Sequence, residues 1–336
     1  MERYARQTVF QHIGNEGQKK LLSSKVTIIG MGALGTVAAN NLARAGIGYI
    51  RMADRDYIEL TNLQRQVLYN EDDAAQSLPK VIAACNHLSK VNSEIIFEPV
   101  ITDVNPSNIE GLISDVDLVL DANDNFEIRL LINEACNKYS IPWIYCGALG
   151  SVGMTMNILP YDDSPCLRCF LGESVSSTGE SCSTVGVLNM LTVTMASLQT
   201  AEAVKILLGS DRIRRELLTL DIWENRFDAI KLEKDPDCPI CVHKGYEYLG
   251  KAAGSYTTNL CGSDSVQIVP PRPVKVDFAR LADKLKKIGT VDVSPYMLRF
   301  SDNKYEITLF QDGRAIIKNA IDGNNAKSIY AEYIGL

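Results

Sequence analysis

One short stretch restricts this chain more than any other. Residues 26–30 (VTIIG) form a β-branched run, and Gly30-Met31-Gly32-Ala33-Leu34-Gly35 follows directly. A run of that kind reads as a buried strand. Gly30, Gly32 and Gly35 fit G-x-G-x-x-G. The first glycine permits a tight turn, the second lets backbone approach phosphate, and the third lets helix and strand pack closely. TVAANNLARAG, ending at Gly46, then reads as a helix, and residues 49–54 (YIRMAD) as a second strand. Strand, glycine turn, helix and strand make a βαβ unit, which requires parallel pairing.

The alternation continues. A short helix is expected over 15–24, helices over 79–91, 106–115 and 125–139, and strands over 94–100, 117–121 (DLVLD), 142–148 and 151–160. Residues 163–186 are irregular and rich in Ser, Cys and Gly. A long apolar helix covers 187–208, with strands near 216–222 and 226–232. The expected fold is α/β: a doubly wound, Rossmann-like, mostly parallel sheet. A break at 234–263 separates residues 1–250 from a small α+β unit at 260–336. That unit is expected to hold a strand at 265–271, a helix at 277–288, strands over 294–317 with a turn at Asp312-Gly313, and a helix at 325–334.

In an open parallel sheet, ligands sit beyond the carboxyl ends of the strands. Several polar residues fall there. Asp54 ends the second strand, where a carboxylate takes ribose hydroxyls. On the glycines and Asp54 alone, an NAD site is at least as good a reading as an ATP site. Asn62-Leu63-Gln64-Arg65-Gln66 follows the strand, Lys80 opens the next helix after Pro79, and Asp121 and Asp124 flank the end of DLVLD. A dinucleotide needs little cation, whereas a triphosphate needs Arg and Lys to offset its charge and a carboxylate to hold Mg2+. Taken singly, Arg65 and Lys80 read better as solvated charges and Asp124 as a helix N-cap. Their joint placement at one edge favours the triphosphate.

Cys166-x-x-Cys169 and Cys238-x-x-Cys241 are two distant knuckles. Four thiolates suit a closed, tetrahedral structural Zn2+ that staples chain segments. The alternative, a redox dithiol, needs a CxxC at the start of a helix in a thioredoxin-like βαβ unit, and neither pair is expected to sit so. Cys182, in the polar loop 176–186, is a candidate nucleophile or sulfur acceptor, with a semi-buried spectator as the plainer reading. Cys85, Cys136 and Cys146 fall in apolar patterns and read as core. Cys261 has no assigned role.

The chain has 336 residues and a formal charge of −7, with no basic run. Nucleic-acid and membrane-surface partners are therefore not expected. The opening MERYARQTVFQHIGNEGQ lacks an apolar run, so no export signal is expected, and no stretch is expected to span a bilayer. The nine cysteines then belong to a reducing, cytoplasmic setting. The three histidines show no triad or metal spacing, and hydrolase motifs are absent.

Together the residues resemble the ThiF/MoeB/HesA family, bacterial relatives of ubiquitin-activating enzymes. Arg3-Tyr4-Ala5-Arg6-Gln7, GMGALG, Asp54, NLQRQ, Leu78-Pro79-Lys80, DANDN and both CxxC pairs carry the resemblance over residues 3–241. LCGSDSVQI and FQDGRAIIK look like the tail of longer Gram-positive members. The resemblance implies that the glycine turn and Asp54 hold adenosine and phosphates. It implies that Arg65, Gln66 and Lys80 contact phosphates, that Asn62 lines the site, and that Asp124 binds Mg2+. Arg6 would reach the neighbouring subunit's phosphates, which implies a homodimer. The four paired cysteines would bind zinc, and Cys182 would fall in the crossover loop, where a cysteine can bond to the carrier. The implied reaction is ATP-dependent adenylylation of the C-terminal glycine of a ThiS- or MoaD-like sulfur carrier, with a cysteine desulfurase as sulfur donor. Asn123 departs from the usual DATDN. An NAD-dependent oxidoreductase and a tRNA-modifying relative are the alternatives.

Overall fold

The computed structural model describes residues 2–172, 185–251, 257–259, 265–270 and 274–335, and divides at Lys251 into two compact units. In the first, the strands are β1 (Lys25–Ile29), β2 (Tyr49–Asp54), β3 (Ile96–Ile101), β4 (Leu118–Asp121), β5 (Trp143–Leu149), β6 (Val152–Ile158), β7 (Leu217–Asp221) and β8 (Arg226–Ile230). They form one sheet in the order β3-β2-β1-β4-β5-β6-β7-β8. The pairs from β3 to β5 are parallel, and those from β5 to β8 are antiparallel. β1 and β4 read as continuous apolar runs because helices cover both faces. The order of strands reverses at β1, which feeds β2 on one side while β4 pairs on the other.

The helices are α1 (Ala5–Thr8), α2 (Gly14–Ser23), α3 (Ala33–Ala45), α4 (Glu71–Ala75), α5 (Lys80–Val91), α6 (Ile109–Ile113), α7 (Phe126–Tyr139), α8 (Leu167–Leu171) and α9 (Asn189–Leu208). Side chains of α2, α3, α5 and α9 share one core with Val26 and Ile28. Those of α6, α7 and α8 share a second core with Val119 and Trp143. The expected elements of this unit are present to within a few residues. Three short helices escaped the sequence: α1, near the N-terminus, α4, built on an Asn70–Asp73 capping box, and α8, in the stretch expected to be irregular.

α9 corrects one expectation. By length and composition it could cross a membrane. More than half of it is buried, and it packs on α3, β5 and β6. Its buried Gln199 donates from Nε2 to the carbonyls of Asp121 (2.8 Å) and Ile144 (3.0 Å). A helix apolar on all sides is what the middle of such a core needs.

The second unit holds β9 (Thr257–Asn259), β10 (Ser265–Ile268), α10 (Phe278–Leu285), β11 (Thr290–Val293), β12 (Met297–Ser301), β13 (Glu306–Phe310), β14 (Ala315–Lys318) and α11 (Gly323–Tyr333). Its sheet runs β11-β12-β13-β14-β10-β9 and every pair is antiparallel. Phe278, Leu281 and Leu285 of α10 and Ile329 of α11 bury against Leu298, Ile307 and Leu309. The turn at Asp312-Gly313 is closed by the Phe310 amide on the Arg314 carbonyl at 2.8 Å. The edge strand β11 was not expected, because TVDV buries little of either face.

Candidate nucleotide edge and thiol centre

Register builds the edge. Ile29 stands opposite both Ala53 and Asp121, so Gly30, Asp54 and Asp121 lie together at the carboxyl ends of β1, β2 and β4. Gly30 has φ +96°, and a Cβ there would lie 2.7 Å from the Ala122 carbonyl oxygen. A Cβ on Gly35 would lie 2.0 Å from the Gly30 oxygen. The chain's own packing therefore demands both glycines. Gly32, the residue before α3, is different. A Cβ there would meet only Gln66 Nε2, at 3.9 Å. Gln66 itself is buried, and its Oε1 has no hydrogen-bond partner among the described residues. A buried amide oxygen left unpaired beside a helix N-terminus is costly within the chain alone and fits a polar ligand.

Asp54 accepts the amides of Met31 (2.6 Å) and Asp56 (2.7 Å), one on each carboxylate oxygen, and so ties β2 to the glycine turn. Burial raises its pKa, Lys80 opposes the rise and Asp56 adds to it. Lys80 begins α5, is 7% exposed, and points its Nζ at Asp56 Oδ2, 3.0 Å away. Burial alone would push its ammonium down, but Asp56, Asp54 and Asp124 outweigh that and hold its pKa above the ordinary lysine range. The solvated-charge reading of Lys80 therefore fails. Tyr69 closes the back of the turn by donating its hydroxyl to the Met31 carbonyl at 2.8 Å.

Asp124 is exposed, and the helix-cap reading does not hold for it. Asn125 is the cap of α7, its side chain accepting the Glu127 amide at 2.8 Å. Among the described residues Asp124 makes no hydrogen bond or ion pair. Asp121 is fully buried and paired with Arg129 Nε at 3.0 Å. Burial raises its pKa against the pull of Arg129. Arg129 also donates to the carbonyls of Asn123 and Cys146 and lies over the rings of Phe126 and Tyr145. Asn123 uses its Nδ2 on Ile29 O (2.9 Å) and Asp121 Oδ1 (3.2 Å), lacing β1 to β4.

Other expected residues have local work. Asn62 accepts the Glu59 amide at 3.0 Å, and Arg65 Nη1 donates to the Thr61 carbonyl at 3.0 Å. Arg6 is exposed on α1. The same segment is anchored at the far end of α3, where Gln7 donates to the Ala45 carbonyl at 2.9 Å. Thirteen helical residues, about 20 Å, separate that end from the glycine turn. Within one chain, Arg6 does not join the edge. Cys182 and Cys261 lie outside the described residues. Cys136 and Cys146 are buried as expected, and Cys85 is half-buried against the core.

The four paired cysteines meet. Their Sγ atoms all lie within 4.8 Å of one another, with Cys166–Cys169 at 3.9 Å, Cys166–Cys238 at 3.7 Å and Cys169–Cys241 at 3.5 Å. Four thiolates bound tetrahedrally at about 2.3 Å from one zinc would stand about 3.8 Å apart. The donor set and its spacing fit that ion. Cys166 caps α8, so this pair does begin a helix, contrary to expectation. The redox reading still fails, since each thiol of this pair also faces a thiol of the other pair. Asn133 of α7 supports the centre, donating to Cys166 Sγ at 3.7 Å and accepting the Leu167 amide at 3.1 Å. One residue on, buried Glu134 accepts the amides of Glu247 (3.1 Å) and Leu249 (2.9 Å), just past the second knuckle.

A doubly wound α/β domain with a glycine turn at its switch point and a four-cysteine centre is a narrow class. The chain belongs to the ThiF family, whose model matches residues 4–240. It is 38% identical over 336 residues to the sulfur carrier protein ThiS adenylyltransferase of Bacillus subtilis, covering 99% of each chain. It is 34% identical to the molybdopterin-synthase adenylyltransferase of Escherichia coli, over 72% of this chain and 96% of that protein. A solved structure of E. coli MccB with ATP superposes with a TM-score of 0.61 at 24% identity, covering 71% of this chain and 74% of the other, which supports the fold.

Proposed function

We propose that this chain is an adenylyltransferase that uses ATP to activate the C-terminal glycine carboxylate of a small ubiquitin-like sulfur carrier, for thiamine or molybdopterin synthesis. The observation that carries the reading is the gathering of Lys80, Asp54, Asp124 and the glycine turn at one sheet edge. A carboxylate oxygen of the carrier attacks the α-phosphorus of ATP. The bond from that phosphorus to the bridging oxygen breaks, pyrophosphate leaves, and an acyl-adenylate remains. The carboxylate is already ionised at neutral pH, so no general base is required. The protein's task is alignment and cancellation of charge. In this reading the amides at the start of α3, Lys80, Arg65 and Gln66 bind phosphates, Asp54 and Asn62 line the nucleoside side, and Asp124 holds Mg2+, which offsets phosphate charge. Arg6, remote from its own edge, serves the partner's site in a homodimer. The four cysteines hold a structural zinc. Cys182 is the candidate thiol for the later sulfur step, in which a cysteine desulfurase supplies sulfur. The four reduced thiols suit the cytoplasm.

The test is carrier-dependent ATP–pyrophosphate exchange, run with a thiamine-type and a molybdopterin-type carrier side by side. One carrier should support exchange in the wild-type chain. Asp124→Ala should abolish it, by about 100-fold or more, with an unchanged unfolding midpoint. Exchange that survives Asp124→Ala removes Asp124 from the reaction.

A further inference from the structure

Beside the expected residues of the edge lies an acid that the sequence did not single out. Asp56 follows β2, and its backbone is fixed from both sides. Its amide donates to Asp54 Oδ1 at 2.7 Å, and its carbonyl accepts the Lys80 amide at 3.0 Å. An antiparallel bridge between Tyr57 and Pro79 and the Ile58 amide on the Leu78 carbonyl (2.9 Å) lock the two segments together. The Asp56 carboxylate then meets Lys80 Nζ at 3.0 Å through Oδ2 and Arg55 Nε at 3.7 Å through Oδ1. Arg55 is itself held by Asp103 at 2.9 Å. The lysine side chain is 8% exposed, the aspartate 43%. A buried four-carbon side chain that could sample many rotamers is thus tied at both ends by one residue.

We propose that Asp56 is a positioning residue for the adenylylation reaction: it holds the Lys80 ammonium at the glycine-turn edge, in place and charged, before ATP arrives. This rests on the functional reading above. The charged groups around Lys80 are Asp54 and Asp56 beyond β2 and Asp124 beyond β4. Asp56 is the only one of the three in hydrogen-bond contact with it among the described residues. Preorganisation is the physical benefit: a lysine already oriented loses less freedom when a phosphate binds. A carboxylate partner also offsets the burial that would otherwise favour the neutral amine.

Asp56→Asn in the full-length chain tests this, because it keeps the shape and removes the charge. The turnover of pyrophosphate exchange should fall by about tenfold or more, with a smaller change in KM for ATP. The alkaline limb of the pH profile should move down by roughly one unit or more, since fewer acids then oppose burial of Lys80. Asp56→Glu, which restores the charge, should leave the limb near its wild-type pH. A [ε-13C]lysine NMR titration reads the same shift without activity, so a wild-type chain that exchanges no pyrophosphate would refute the functional reading alone. Should the Lys80 signal and, where exchange occurs, turnover and limb all match wild type in Asp56→Asn, Asp56 is a spectator. A collapse of the fold in Asp56→Asn, seen as a lost unfolding transition, would instead make it a structural residue and also overturn the proposal.

Discussion

At the glycine-turn edge, one buried lysine stands among three carboxylates, a buried amide oxygen has no partner among the described residues, and Asp124 faces solvent. Across the same unit, four thiols face one another, and Asn133 supplies a side-chain hydrogen bond to one of them. The first arrangement leaves interactions to be completed from outside. The second offers four mutually facing donors, a set that would close around one ion and leave no open position. Reception and closure thus follow from how many partners the chain supplies to its own polar atoms, more than from which residues are used.

That contrast can be attacked first at the thiols. Cys238→Ser, or extraction of metal by a chelator, should destabilise the first unit by on the order of 5 kcal/mol or more. Denaturant unfolding with metal analysis measures it, and a metal-free chain of full stability would end the closed-centre account. Arg129→Ala is next. It strands the buried Asp121 charge and should cost about 3–5 kcal/mol at pH 7. The sign with pH is fixed by the raised pKa of Asp121. A carboxyl whose folded pKa lies above its unfolded one gains stability as pH falls through the folded value. The loss in Arg129→Ala should therefore shrink on acidification from pH 7 towards 5, and a pH-independent loss would show that Asp121 is not the stranded group. Smallest is Asn123→Thr. Threonine can replace one of the two donated bonds, so about 1 kcal/mol is expected, read as a modest drop in the unfolding midpoint. No drop would mean that the link between β1 and β4 is carried by the backbone.

The same contrast explains what could be read from sequence. The thiol centre was legible because cysteine is scarce and paired spacing has few other uses. The βαβ unit was legible because buried strands and a glycine turn leave a pattern in consecutive residues. Asp56, Tyr69 and Arg129 were not. Asp56 sits in an ordinary polar stretch after a strand, and only the bridge between Tyr57 and Pro79 brings it to Lys80. Arg129 lies one helical turn past a cap, and nothing in FEIRLL announces that its charge is buried on Asp121. Read singly, Asp124 takes the cap that belongs to Asn125, a one-residue difference that decides whether the Asp124 carboxylate stays available. Apolarity alone does not decide for α9, where composition satisfies two environments and Gln199 and the neighbouring strands choose between them.

Glu134 gives the second knuckle a mechanical neighbour. Because it grips the amides of Glu247 and Leu249, the strand of chain leaving the thiols is clamped to α7 before it reaches Lys251. A tug transmitted along the connection from the C-terminal unit would load that clamp first, and the four sulfurs only after it gave way, much as a cable gland spares the solder joint behind it.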